Sequence, residues 1–173
     1  MNIQWAMVLL FMLGCSVASA QASRCPKIPD SYHWVSARDY KREEELVIKT
    51  LQWLIKTPIH HEIEIRGKAN LFVMEWICGS PRIDLVIHSD RLPFYVDYPE
   101  LLFPYLHGMA LCKLVKNEEC NELQGMIEGF NIVAFMVLND TDFKKVKSLQ
   151  PITKAYKKGK MRAYVESLIS NQP

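Results

Sequence analysis

Cysteines are the residues whose spacing most directly indicates chemistry. Beyond residue 20 the chain contains four of them: Cys25, Cys78, Cys112 and Cys120. A turn expected near Asn117 places the last two about one helical turn before and after it, on the facing sides of an antiparallel helix pair. This spacing predicts a Cys112–Cys120 disulfide in a chain that reaches an oxidising compartment, with two buried unpaired thiols as the alternative. Pairing of Cys25 with Cys78 stays open.

The densest group of metal-type side chains is His60, His61, Glu62 and Glu64. Adjacent residues of a strand point to opposite faces, so both histidines cannot bind one ion there. The spacings typical of zinc sites, Cys-x-x-Cys and His-Glu-x-x-His, do not occur. We therefore interpret the segment as a solvated loop, and the sequence predicts no metal and no cofactor.

Glu75 is the carboxylate with the clearest potential for acid–base chemistry, because it lies in the apolar stretch 68–78. Burial would raise its pKa and suit it to act as a general acid or base. More often such a residue lies on the solvated stripe of its helix or pairs with an arginine. Nucleophile-elbow, P-loop and dinucleotide-binding motifs do not occur, so no catalytic residue is predicted.

Positive charge is concentrated near the C-terminus. Residues 144–173 contain eight basic side chains and one acid, whereas the rest of the chain contains 13 basic and 18 acidic side chains. The candidate anion-binding surface consists of Lys154, Lys157, Lys158 and Arg162. The alternative, favoured by the pattern, is a solvated basic face that docks on the acidic remainder through apolar residues of its own: Ile152, Tyr156, Tyr164, Val165 and Leu168.

Aromatic side chains recur between residues 94 and 105. These residues, beside Trp76, can line an apolar groove or form ordinary core, and core is the favoured interpretation. The set is Phe94, Tyr95, Tyr98, Phe103 and Tyr105.

The first twenty residues have the pattern of an export signal. They carry no charged side chain, their apolar centre 7–13 is too short to span a bilayer, and they end in Ala18–Ser19–Ala20. Cleavage after Ala20 is predicted, with a periplasmic or secreted product. A loose bacterial lipobox ending at Cys15 gives the alternative of a lipid-anchored envelope protein with peripheral membrane attachment.

The elements that must position these side chains are mostly helices. An apolar share of 49% over 173 residues with a net charge of +2 excludes disorder, collagen and a polytopic membrane protein. Residues 21–173 are predicted to form a single, mainly α domain of about five or six helices with basic C-terminal helices.

Helix signals begin with Ser36 and Asp39, which form a capping box before a helix that Pro58 ends. A second, buried helix is predicted over 68–78. Asp97 at the N-cap starts the next helix, in which Pro104 requires a kink or a regular part that begins nearer Phe103.

A further helix is predicted to begin at a cap formed by Asn117 and to carry a seam that packs lengthwise on another helix. Two short helices follow, 143–158 interrupted near Pro151 and 160–169, with Gly159 between them as a left-handed residue. The seam consists of Cys120, Leu123, Ile127, Phe130, Ala134 and Val137.

Alternating polar and apolar residues predict two short strands, 61–66 and 82–88. They can pair as a two-stranded ribbon, or the second can be an extended crossing segment. An isolated ribbon is marginal, so it would need a helix packed on one face.

Residues 68–81 together with Asp97-Tyr-Pro-Glu-Leu-Leu102 resemble a group of small exported bacterial proteins of unknown function. The resemblance implies export and a helical fold, and it transfers no catalytic residue. The function expected is a non-enzymatic helical interaction or binding domain whose partner is a protein or an anionic ligand and not nucleic acid. The alternative is a small hydrolase that uses Glu75 and a histidine.

Overall fold

The computed structural model describes residues 24–170, so the predicted signal segment and Cys15 lie outside the described residues. Within 24–170 the chain forms six α-helices and no strand, which confirms the predicted mainly α single domain. No helix in this range is both long and apolar enough to cross a membrane. The helices are α1 (Ala37–Lys56), α2 (Ile63–Gly79), α3 (Leu102–Lys116), α4 (Glu122–Asn139), α5 (Gln150–Lys157) and α6 (Met161–Ser170).

α1 begins at the predicted cap. The backbone N–H and the hydroxyl of Ser36 both donate to Oδ2 of Asp39, at 2.9 and 2.8 Å. These bonds, the one from the hydroxyl first, hold the pKa of Asp39 below its usual range. The helix ends at Lys56, two residues before Pro58, as the sequence predicts.

The predicted strand 61–66 is wrong, because α2 already begins at Ile63. Its buried face repeats every three or four residues, as in Arg66, Ala69, Phe72 and Trp76, and this helical period decides the fold of the segment. The isoleucines that produced the alternation remain on the surface, with Ile63 70% exposed. The alternation is therefore a surface pattern and does not mark a sheet face.

Residues 83–88 follow a turn at 81–82, form no strand and run from the end of α2 to a contact with α4, as in the alternative of a crossing segment. Ile83 and Leu85 pack against the core from this segment. Polar contacts fasten its ends: Arg82 forms an ion pair with Glu44 of α1, and His88 Nε2 lies within hydrogen-bond distance of Glu122 Oε1 of α4, at 2.9 Å. The two-stranded ribbon is thus absent from the described residues.

α3 does not begin at Asp97. A short 3₁₀ turn, Pro99–Leu101, precedes it, and the α-helix starts at Leu102. Pro104 is therefore in the first turn, where the missing N–H has no intrahelical partner to lose. The start nearer Phe103 is correct and the Asp97 cap is wrong.

α4 begins four residues later than a cap at Asn117 would place it, so that prediction is wrong. Asn117 ends α3 with a φ of 51°, and residues 117–119 form a 3₁₀ turn. Asn121 is the cap, and its Oδ1 accepts a hydrogen bond from the N–H of Gln124 at 2.9 Å. The extra turn displaces the start of the helix.

α3 occupies the centre of the fold. One side of it packs on α4, where Gly108 and Gly129 allow the two backbones to approach closely. The other side contributes Ala110 and Leu114 to a second apolar cluster with α1 and α2. The predicted seam of α4 is buried from Ile127 onwards.

The predicted disulfide between Cys112 and Cys120 is present, and both residues are buried, with their Cα atoms 5.8 Å apart. It joins the end of α3 to the residue before the cap of α4. Cys25 and Cys78 are not bonded to each other; the first is half-buried and the second exposed.

The C-terminal region is less helical than predicted between 143 and 149. A turn occupies 141–145 and a 3₁₀ turn 147–149, and α5 begins at Gln150 with Pro151 in its first turn. Gly159 has a φ of 63°, as expected for the left-handed residue between two helices. α5 and α6 both pack on α4.

The aromatic set divides between core and surface and does not line one groove. Phe94 and Tyr105 are buried and pack with Phe130. Phe103 is exposed, and Trp76 belongs to the other apolar cluster. Ordinary core is thus the correct interpretation for its largest members.

Candidate functional site

Four lysines lie on one face of α5 and of the turn that precedes it. Lys154, Lys157 and Lys158 follow Lys147 by seven, ten and eleven residues, a spacing that keeps all four on one side of a helix. Together with Gln150, Pro151 and Thr153 they line an open hollow of about 610 Å³. We call Lys147, Lys154, Lys157 and Lys158 the lysine face.

The lysine face has no counter-charge from the part of the chain that the structure describes. Within residues 24–170, no ion pair includes any of its four ammonium groups, and no acidic side chain lines the hollow. Several acidic residues elsewhere in the described part of the chain pair with other cations, such as Glu128 with Lys116 at 2.8 Å. The positive charge of this helix is therefore left to solvent and to external anions.

Arg162, the fourth residue of the predicted anion-binding surface, lies elsewhere. It lines a separate hollow of about 670 Å³ between α1, α4 and the start of α6. Its guanidinium lies 3.6 Å from Glu166 and donates to Oε1 of Gln124 at 3.4 Å. The structure thus brings together three of the four predicted residues and adds Lys147, which the seven-residue separation from Lys154 signals.

Apolar residues on the inner sides of α5 and α6 hold the lysine face outward. Ile152 and Val165 are fully buried against the cluster of α3 and α4, and Leu168 packs at its edge. Tyr156, which the sequence placed in the same docking face, is 38% exposed. The helix that carries the lysines is therefore docked by hydrophobic contact and not by charge pairing.

Glu75 does not have the environment that the hydrolase hypothesis requires. Its side chain is exposed, whereas the hypothesis requires a buried carboxylate. The phenol of Tyr32 hydrogen-bonds to it; burial first, and then this bond, raises the pKa of Tyr32 to about 12. Glu75 lies on the solvated stripe of its helix, which was the alternative interpretation.

The histidine cluster is dispersed. His60 stacks near Phe143 with ring centres 6.0 Å apart, whereas Nδ1 of His61 lies 3.7 Å from a carboxylate oxygen of Glu62. No group of three metal-type ligands occurs among the residues that the structure describes. These side chains therefore contribute to the surface between α1 and α2.

Arg66 is a buried cation that sequence reasoning missed. Only 5% of it is exposed, and its Nη1 donates to the carbonyls of Leu54 and Thr57 at 2.9 and 2.7 Å, closing the C-terminal end of α1. Burial lowers its pKa to about 10, so it is charged at neutral pH. It forms no ion pair within residues 24–170.

His107 is fully buried near Arg66, and neither of its ring nitrogens has a hydrogen-bond partner. Burial first, and then the charge of Arg66, lower its pKa to about 3. The neutral imidazole is therefore the form that the fold contains at neutral pH. No local sequence signal marks either residue as buried.

Comparison of the chain with protein-family models, with curated proteins and with solved structures finds no match in any of the three.

Proposed function

We propose that this protein is an interaction domain that binds a polyanion at the lysine face. The observation that carries the proposal is the set of four ammonium groups, aligned on α5 and the 3₁₀ turn before it, with no counter-charge from residues 24–170. Like charges held together on one helix repel each other, and a bound anion relieves that repulsion. Anion binding at the lysine face therefore relieves a repulsion that a scattered set of lysines does not have.

The chemistry of the face fits a row of phosphate groups. Each lysine supplies a compact charge with three rotatable donors, which suits phosphate oxygens without imposing a planar geometry. The hollow is lined by no large apolar side chain, so the contact is electrostatic and does not insert into a bilayer. Lipid headgroups and soluble polyphosphate share this chemistry.

The hydrolase alternative has no supporting observation, because its central residue, Glu75, is exposed. We also infer that the domain acts outside the cytoplasm. The small-residue exit at Ala20 supports export, and the Cys112–Cys120 bond suits an oxidising compartment. N-terminal sequencing of the cell-envelope form should begin at Gln21 or Ser23, and a product that retains Met1 would contradict export.

The binding test uses the chain from residue 21 with polyphosphate, with vesicles of phosphatidylglycerol and with neutral phosphatidylcholine vesicles. We expect binding to the anionic probes only, and weakening as salt reduces the Debye length to ~10 Å near 0.1 M. Binding to polyphosphate alone identifies a soluble ligand, whereas binding to vesicles alone identifies a membrane surface.

A matched pair of variants locates the site. Lys154→Gln, Lys157→Gln and Lys158→Gln together remove three charges from the lysine face, and we expect affinity to fall by at least about tenfold. The same three-charge change at Lys41, Lys49 and Lys68, which are exposed on α1 and α2, should leave affinity unchanged. Equal losses in both variants would show that only net charge matters and would refute the proposal.

A further inference from the structure

A third cavity lies between α2 and the start of α3, and it shares no lining residue with the hollow at the lysine face. Its volume is about 210 Å³. Ile59, Ile63, Phe103 and Pro104 give it apolar walls, and Gly67 leaves one side open. The polar residues that line it are Arg66, Asn70 and Glu100.

Arg66 brings unused hydrogen-bond donors to this cavity. A guanidinium has five N–H donors, and both bonds to the carbonyls of α1 come from Nη1 alone. Nε and Nη2 form no hydrogen bond within residues 24–170, and neither is shut off from solvent. A buried guanidinium without a carboxylate partner is costly, and a ligand carboxylate would supply two acceptors in the matching planar geometry.

The cavity also contains acceptors without donors. Oδ1 of Asn70 is buried and has no hydrogen-bond partner. The Glu100 carboxylate forms no hydrogen bond or ion pair within the described part of the chain. Glu100 is exposed, so an occupant is not required there, but one with a positively charged donor, a carboxylate and an apolar body complements the lining.

We propose that the cavity between α2 and α3 binds a free amino acid with an apolar side chain. The carboxylate pairs with Arg66, the ammonium group with Glu100 and Asn70 Oδ1, and the side chain with Ile63 and Phe103. The cavity is smaller than the ~300 Å³ at which drug-sized sites begin, which matches a single amino acid.

The competing explanation is that Glu100 serves as the distant counter-ion of Arg66. In that case the cavity needs no ligand. The two explanations predict different responses to an added amino acid. If Glu100 is the counter-ion of Arg66, the ligand would disturb that pair. If the site is incomplete, the ligand would fill it.

The test measures binding by calorimetry with three probes that share one branched carbon skeleton. L-Leucine has both charges, 4-methylpentanoate lacks the ammonium group, and 3-methylbutylamine lacks the carboxylate. We expect saturable binding of leucine and at least tenfold weaker binding of each single-charge probe. Equal binding of all three, or no saturation by leucine up to about 10 mM, would overturn the proposal.

Substitution of Arg66 risks unfolding, because it also closes the end of α1, so Gly67 provides the blocking variant. A Cβ at this position meets no atom within 4 Å, and we expect the longer side chain of Gly67→Leu to occupy part of the cavity that Gly67 lines. Lys68→Leu, which adds the same side chain one residue along and outside the lining, is the control. We expect loss of leucine binding in the first and wild-type affinity in the second.

Glu100→Gln separates the two explanations further. We expect it to weaken leucine binding at least tenfold and to leave binding of 4-methylpentanoate unchanged or stronger. Wild-type affinity for leucine in Gly67→Leu or in Glu100→Gln would refute the assignment. The triple glutamine variant of the lysine face should bind leucine normally, so this test and that of the proposed function fail independently.

Discussion

The α3–α4 pair and the α5–α6 pair are both helical hairpins, but they are built differently. α3 and α4 form the most extensive helix contact, with glycines at the crossing and a disulfide across the turn. α5 and α6 are short, are joined through Gly159 and bury mainly Ile152, Ala155, Met161 and Val165. One pair is the structural centre, and the other carries the uncompensated charge.

The difference teaches where this fold tolerates change. At the crossing of α3 and α4 the two backbones are in contact and leave no room for added atoms. Each carbon added there should therefore lower the stability of the fold. The lysines on the outer face of α5 are exposed and form no ion pair with residues 24–170, so their substitution should affect ligand binding and not packing. Stability and binding should therefore respond to different substitutions.

The largest effect is expected for Gly108→Ala in α3. The added Cβ would lie 2.5 Å from the carbonyl oxygen of Glu128 and 2.8 Å from Cα of Gly129. Both neighbours are backbone atoms, so the helices must separate, at about 3 kcal/mol in the free energy of unfolding. Urea denaturation measures the loss.

Gly125→Ala is the matched control on α4. Its Cβ would lie 3.7 Å from the end of Met109, an ordinary contact, and alanine favours a helix over glycine by up to ~1 kcal/mol. We expect unchanged or higher stability. Similar losses at Gly108 and Gly125 would contradict the close crossing at Gly108.

Acid should destabilise the same central region through His107. Its pKa is lowered to about 3 in the fold, against 6.5 in the unfolded chain, so between these values only the unfolded chain binds the proton. The contribution of the neutral His107 to the free energy of unfolding is complete above pH 6.5. It is lost as the pH falls to 3, at up to about 1.4 kcal/mol per pH unit.

His107→Leu isolates this contribution. Both ring nitrogens lack partners, so an apolar replacement of similar size removes no hydrogen bond at neutral pH. Denaturation measured from pH 7 to pH 4 should show a shallower decline in the variant. A decline as steep as in the wild type would assign the acid sensitivity to the carboxylates.

The disulfide should contribute about 2 kcal/mol, because it closes a short loop in the unfolded chain. Cys120→Ser is expected to lower the free energy of unfolding by that amount, whereas Cys78→Ser, at an exposed free thiol, should change little. Non-reducing peptide mapping should recover residues 112 and 120 in one linked pair. Free alkylation of both thiols in the exported protein would disprove the bond.

How much the sequence predicts depends on whether the signal is local. The helix from Ser36 and the seam of α4 were found because a cap and an apolar period lie within one segment. The sequence does not predict the start of α2, because Ile63 and Ile65 alternate with polar residues as in a strand. Both isoleucines are exposed, so they do not belong to the helical period of the buried face. The cap of α4 was misplaced because Asn117 and Asn121 have the same capping chemistry, and the 3₁₀ turn decides between them.

The sites show the same division. The lysine face was largely found, because its members are neighbours along one helix. The sequence does not predict the cavity around Arg66, because residues that are distant along the chain form it. Arg66 bonds to the end of α1, and the lining includes the start of α3 and Glu100, which is 34 residues away. Such a site depends on tertiary packing, for which no short spacing is a signal.

The smallest effect on stability is expected for the triple variant Lys154→Gln, Lys157→Gln and Lys158→Gln. These side chains are exposed and unpaired within residues 24–170, so their removal breaks no contact and relieves repulsion. The free energy of unfolding should change by less than about 0.5 kcal/mol, or rise at low salt. A loss above about 1 kcal/mol at low salt that disappears at high salt would show that these charges dock α5 on the acidic remainder of the protein. An unchanged stability combined with lost polyanion binding separates the two helical pairs completely: the first pair holds the fold, and the second presents the surface.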